Sequence, residues 1–136
     1  MNEKQKLVVI GNGMAGARTV EEILSRGGGE QFEITVFGDE PYGNYNRILL
    51  SNVLNGSQDA ADIFLNPLDW YTENSVKLHA PARVTQIDRA RKEVYSDDDD
   101  RVSSGCFVDA HSHYSWRKHI AYNSRYQQLR GCLWES

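Results

Sequence analysis

The sequence predicts an α/β fold built on a parallel sheet, and three observations near the N-terminus predict it. The run Leu7 to Ile10 (LVVI) is continuously apolar and β-branched, as suits a strand covered on both faces. It ends in glycines at positions 11, 13 and 16, inside KLVVIGNGMAG. An amphipathic helical pattern follows, and then a second β-branched and aromatic stretch, FEITVF, at Phe32 to Phe37. Strand, turn, helix and strand within about 30 residues is the length a β-α-β unit requires.

Each glycine has its own physical task. Gly11 allows the tight turn out of the strand, Gly13 lets the backbone approach a diphosphate, and Gly16 permits close packing of helix on strand. Asn12, Met14 and Ala15 complete the loop and first turn, where helix N–H groups and the positive dipole end face an anion. A GxGxxG match alone is weak; placed between a strand and a helix and ahead of a second strand, it reads as dinucleotide binding. The alternative is a glycine turn in another α/β fold.

In the helix, Met14, Ala17, Val20, Ile23 and Leu24 recur at helical spacing, with Arg18, Glu21, Glu22 and Arg26 opposite. Gly27, Gly28 and Gly29 are expected to end it. After the second strand come Gly38, Asp39 and Glu40. An acid here accepts hydrogen bonds from the adenosine ribose hydroxyls and disfavours a 2′-phosphate. Asp39 or Glu40 serves, and Glu40 is slightly favoured because Pro41 fixes the chain after it. Both also read as solvated loop charges.

Tyr42 to Gly56 (YGNYNRILLSNVLNG) is a segment that a minimal nicotinamide-binding domain does not need. A short apolar helix is expected over Ile48 to Leu54, closed by Asn55 and Gly56. Arg47 at its start has the planar donor fork to neutralise a diphosphate, or is an ordinary surface arginine. Asn66 and Pro67 read as N-cap and first helical position, with Trp70 and Tyr71 turned into the core. Further strands are expected at Val76 to Leu78, Arg83 to Ile87 and Glu93 to Tyr95, the last two joined by a charged turn from Asp88 to Lys92.

Bulk properties exclude other classes. The chain of 136 residues is 40% hydrophobic and 25% charged, with a net charge of −4. No apolar run approaches the roughly 18 residues of a membrane span. The N-terminal MNEKQK lacks the apolar core and cleavage site of a signal peptide, so a cytoplasmic protein is expected. Acidic balance argues against a nucleic-acid footprint. Cys106 and Cys132 fit no metal or redox spacing, and no metal site is assigned.

The glycine loop, the Asp39-Glu40-Pro41 turn, Tyr45-Asn46-Arg47, Leu50-Ser51 and Asp69-Trp70-Tyr71, in that order, carry a resemblance. From about Lys6 to Tyr95 the chain resembles the N-terminal FAD-binding region of NAD(P)H-dependent nitrite reductase large subunits. That family sits among the FAD-dependent pyridine-nucleotide-disulfide-type reductases, with the rubredoxin and ferredoxin reductases. The resemblance implies a Rossmann-like FAD-binding domain with FAD as cofactor. It places the diphosphate on Gly11 to Gly16, the ribose on the acid after the second strand, Arg47 near phosphates and flavin, and Val84 backbone groups at the adenine. It further implies hydride transfer from NAD(P)H to FAD, with electrons passed through iron–sulfur and sirohaem centres to nitrite. No residue of this chain is assigned as catalytic acid, base or nucleophile, because the cofactor carries the chemistry. A non-catalytic nucleotide-binding fragment, a flavoprotein like the rubredoxin and ferredoxin reductases, and a single-domain NAD-dependent enzyme are the alternatives.

The family pattern departs near Asp98. Residues 1 to 100 carry ten Lys/Arg against seventeen Asp/Glu, whereas residues 101 to 136 carry five against two and three of the four histidines. Ser75 and Pro81 stand where small, turn-forming residues are expected. No ATG motif, second GxGxxG or set of metal-centre cysteines follows. The expectation is therefore an incomplete FAD-binding domain over 1–97 and an irregular tail over 98–136, either out of frame or disordered, on a fragment inactive alone. Asp109, His111 and His113 in that tail, with Cys106, lack the supporting spacing of a metal site.

Overall fold

The computed structural model describes residues 3–109. Its centre is a four-stranded parallel sheet in the order β5-β2-β1-β9. The strands are β1 (Gln5–Ile10), β2 (Phe32–Phe37), β5 (Lys77–His79) and β9 (Cys106–Asp109). β1 lies between β2, with Leu7 opposite Ile34, and β9, with Leu7 opposite Cys106. The LVVI run is buried because it is covered on both faces.

The two faces are covered differently. Leu7 and Val9 point to one side, with Ile34 and Val36, and meet Val20 of helix α1 (Met14–Ser25) and Tyr71 of helix α4 (Leu68–Glu73). Val8 and Ile10 point to the other, with Phe37, and meet Val84 and Val94. These belong to an antiparallel meander of β6 (Val84–Asp88), β7 (Glu93–Ser96) and β8 (Arg101–Ser103). The period-two alternation of a strand thus divides one apolar run between a helical layer and a second sheet. Each fully buried valine or isoleucine contributes about 1.5–3 kcal/mol relative to exposure.

The β-α-β unit forms as the periodicity predicts. The polar face of α1 is laced by Arg18 to Glu21 and Glu22, and by Arg26 to Glu22 at 2.9 Å. The glycine run does more than end the helix. Gly27 takes the left-handed conformation, with φ of +79°, and Gly28 starts a one-turn helix, α2 (Gly28–Gln31), that leads into β2. A Cβ on Gly28 would stand 2.6 Å from the Ile23 carbonyl oxygen, so close packing rather than φ requires glycine there.

Between β2 and β5 the chain forms a small excursion. It holds the pair β3 (Asn44–Tyr45) and β4 (Phe64–Asn66), a 3-10 turn over Arg47–Leu49 and helix α3 (Leu50–Leu54). The expected helix over Ile48 to Leu54 is therefore split. Asn66 does not cap α4. It ends β4, is 2% exposed and spends its amide on Asn44 and Glu21, which leaves Pro67 as the N-cap residue.

The boundary expected at residue 97 does not coincide with an end of structure. β8 pairs with β7, and β9 pairs with β1 along its whole length. Ser104 Oγ and the Gly105 N–H both donate to the Lys6 carbonyl, at 2.9 and 3.0 Å, and seat the approach to β9. Long-range pairing fixes these short, mixed segments, which is why no local period announces them. His111 and His113 lie outside the described residues, as does the remainder of the expected tail. No helix among the described residues is long and apolar enough to cross a membrane.

Candidate functional site

The candidate site lies at the carboxyl ends of β1 and β2. Gly11 follows β1 with φ of +105°, a conformation that L side chains rarely adopt, and its N–H donates to the Phe37 carbonyl at 2.8 Å. The turn out of β1 is thereby pinned to the end of β2. Gly13 is the N-cap residue of α1 and has extended backbone angles, φ −82° and ψ −170°. A Cβ at Gly13 would meet nothing within 4 Å, so the side on which a side chain would stand is open. Met14 and Ala15 are exposed in the first turn, and Gly16 is buried as helix–strand packing requires.

The donor set suits an anion. The first N–H groups of an α-helix have no intrahelical acceptor. A glycine N-cap supplies no side-chain oxygen to occupy them, and the first turn of α1 carries no acidic residue. With twelve residues, the helix also presents the positive end of its dipole at this point.

The sequence-predicted residues do not all stand free. Glu40 accepts from Arg47 through Oε1 and from the Tyr45 hydroxyl through Oε2 at 2.8 Å. The Arg47 guanidinium also lies 5.5 Å from the Tyr45 ring centroid. Burial, and then the hydrogen bond to Glu40, push the Tyr45 hydroxyl pKa up. Asp39 faces Arg83 at 3.4 Å. Val84 has its side chain buried in the core under the meander, so only its backbone can meet a ligand.

Several contacts at the site escaped the sequence reading. Asn12 donates to the Tyr42 carbonyl at 3.3 Å and accepts from the Tyr71 hydroxyl at 2.6 Å. That hydroxyl in turn accepts from the Asn44 N–H at 3.2 Å. Asn44 donates to Asn66, and Asn66 donates to Glu21 on α1. Gly38 is held against the loop, because a Cβ there would come within 2.8 Å of the Asn12 Cβ. Tyrosine in DWY carries two signals, core packing and a hydroxyl, and the sequence exposes only the first.

An open glycine turn at a helix N-terminus, beside β1 where the strand order reverses, defines a dinucleotide-binding domain of the Rossmann type. Residues 5–123 match the family model described as pyridine nucleotide-disulphide oxidoreductase, and the chain belongs to that family. It is 53% identical over 96 residues to nitrite reductase [NAD(P)H] of Bacillus subtilis (strain 168), a match covering 71% of this chain and 12% of that protein. It is 48% identical over 95 residues to the assimilatory nitrate reductase electron transfer subunit of the same organism, covering 70% of this chain and 12% of the relative. Among solved structures, a putidaredoxin reductase–putidaredoxin complex aligns with a TM-score of 0.72 at 26% identity, over 82% of this chain and 26% of that one. The chain thus spans only a small part of the proteins it resembles.

Proposed function

We propose that this chain is the FAD-holding N-terminal part of an NAD(P)H-dependent oxidoreductase of the nitrite reductase type. One observation carries the reading: the turn from Gly11 to Gly16 is open at Gly13 and delivers an uncapped, acid-free helix N-terminus to the reversal point of the sheet. The 53% identity to a nitrite reductase [NAD(P)H] supports FAD as the dinucleotide, with NAD(P)H and nitrite as substrates of the larger protein.

The residues present fit the group. Backbone N–H groups from Gly13 to Gly16, with Asn12, Met14 and Ala15 shaping the turn, hold the diphosphate. Asp39 and Glu40 face the ribose hydroxyls, and Glu40 is pre-oriented by Tyr45 and Arg47. Arg47 has five N–H donors, so its pairing with Glu40 is compatible with a phosphate contact. Val84 offers backbone groups to the adenine. FAD, when bound, supplies the electron acceptor for a hydride; this chain's residues bind and orient it. The segment proposed to hold the nicotinamide lies in the remainder of the larger protein, so the fragment alone is inactive.

A visible spectrum of the purified chain, followed by calorimetric titration with FAD, ADP and NAD, tests the reading. The expected outcome is affinity for FAD and ADP. Tighter binding of NAD than of FAD would overturn it in favour of a nicotinamide domain. The same titration addresses the alternative of a nucleotide-binding fragment with no reductase ancestry, which predicts no preference for FAD.

A further inference from the structure

The glycine loop contains one side chain able to fix its shape, and that side chain is held from outside the β-α-β unit. Asn12 stands between Gly11 and Gly13. Its Oδ1 accepts from Tyr71 on α4 and its Nδ2 donates to the Tyr42 carbonyl, so both ends of the amide are tied to the excursion between β2 and β5. Tyr71 cannot wander. It is 2% exposed, its ring packs in the core with Val20 and Val36, and its oxygen also receives the Asn44 N–H.

The direction of the side-chain bonds that flank Tyr71 is set by charge. Glu21 as a carboxylate only accepts, so Asn66 must present its NH2 to Glu21 and its carbonyl oxygen to Asn44. Asn44 then presents its NH2 to Asn66, and its own Oδ1 is buried without a partner among the described residues. Independently, the backbone N–H of Asn44, which can only donate, bonds the Tyr71 oxygen, so the Tyr71 proton goes to Asn12.

We infer that Tyr71 is a positioning residue, which acts through Asn12 to hold the Gly11 to Gly16 turn in the shape that receives a diphosphate. This deepens the proposed function and rests on it. A side chain at Gly13 would meet nothing, and Met14 and Ala15 are exposed, so without the Tyr71 hydroxyl the hydrogen bonds from the loop before α1 to other elements are the Gly11 N–H to Phe37 bond at its start and the longer Asn12 to Tyr42 bond at 3.3 Å. A preformed loop avoids the ordering cost that a loose one incurs on binding. Burial keeps the Tyr71 hydroxyl protonated well above neutrality, so the donor persists across the working pH range.

The test uses the full chain as wild type, Tyr71→Phe, Asn12→Ala and the double variant, with Val94→Ala as a control in the opposite core. The probe is ADP, titrated calorimetrically well below each melting temperature, with amide hydrogen exchange followed in the peptide covering residues 11–16. Tyr71→Phe keeps the ring and should raise the ADP Kd about tenfold, equivalent to ~1.4 kcal/mol. It should also accelerate exchange in the loop. The double variant should bind no worse than Asn12→Ala, which already removes the tie that Tyr71→Phe removes. Val94→Ala should lower the melting temperature while leaving the ADP Kd unchanged. An unchanged Kd and unchanged loop exchange in Tyr71→Phe would overturn the inference, as would a lowered melting temperature with an unchanged Kd. A wild-type chain that binds neither ADP nor FAD would overturn the dinucleotide reading itself, and this inference with it.

Discussion

Gly13→Ala separates ligand binding from folding more cleanly than any other single change at the site. The backbone at Gly13 has φ −82° and ψ −170°, which an alanine adopts without strain, and the added methyl meets no protein atom within 4 Å. Two small terms act on stability. Alanine is a poorer N-cap than glycine by roughly 0.5–1 kcal/mol. Its stiffer unfolded chain returns about 0.4–1 kcal/mol. The net is within about 0.5 kcal/mol, a melting shift of under about 4 °C for a domain of this size. On the ligand side the methyl occupies the open side of the loop that the diphosphate is proposed to use. A loss of at least tenfold in ADP affinity, ~1.4 kcal/mol, is expected. Calorimetric titration with ADP and FAD beside a thermal melt reads both quantities. An alanine variant that melts and binds like wild type would refute the placement of the phosphates against Gly13. One that unfolds would refute the claim that the space beside it is open.

Three other outcomes rest on strained or buried groups elsewhere in the fold. Gly43→Ala should cost about 2–3 kcal/mol in chemical denaturation, because its Cβ would stand 2.0 Å from the Asn66 carbonyl oxygen and force apart the pairing of β3 with β4. Ser75→Gly should stabilise by about 1 kcal/mol, read as a raised melting temperature. Ser75 has φ of +56° just past α4, where its N–H bonds the Thr72 carbonyl and that of Val76 bonds the Tyr71 carbonyl, a helix end that favours glycine. In alkali, the raised tyrosines set the sign. Burial is the largest cause of the upward shift at both Tyr45 and Tyr71, from an ordinary value of 10.0. A raised folded pKa gives a contribution fully present below pH 10 that is lost as pH rises through the folded values. Melting temperatures should therefore fall above pH 10, and less steeply in Tyr71→Phe.

The legible parts of this fold are those written in local pattern. FEITVF is a strand with the bounds its composition suggests, and the face of α1 that carries Val20 is buried while Arg18 and Glu22 pair outside. Gly11 and Gly16 also sit as the motif requires. What the sequence conceals is decided across the chain. Asn66 before Pro67 has the look of a cap, yet two partners, the buried Asn44 and the half-buried Glu21, compete for its amide and win. In the sequence Glu40 and Arg47 read as separate ligand groups, and the structure joins them in one pair. Tyr71 reads as core and is core, but its oxygen belongs to the glycine loop 59 positions away.

The same distinction bears on the segment after Asp97. Judged by composition, the chain changes character there, and the basic, histidine-containing stretch invites a boundary. Judged by pairing, residues 101–109 are integral to the site. If β9 were absent, β1 would be an edge strand, with Val8, Val9 and Ile10 paired only toward β2. With β9 in place, β1 is the strand from which the chain order runs in both directions, to β2 and β5 on one side and to β9 on the other. Ligands of open α/β sheets bind in the crevice at such a reversal. Asp109 lies opposite Ile10, level with the entry to Gly11, so β9 forms the second wall of that crevice. Four residues of unremarkable composition thus convert a glycine turn on an exposed edge into a site with two sides. A family resemblance judged by motif stops before β9, the strand that completes the pairing of β1.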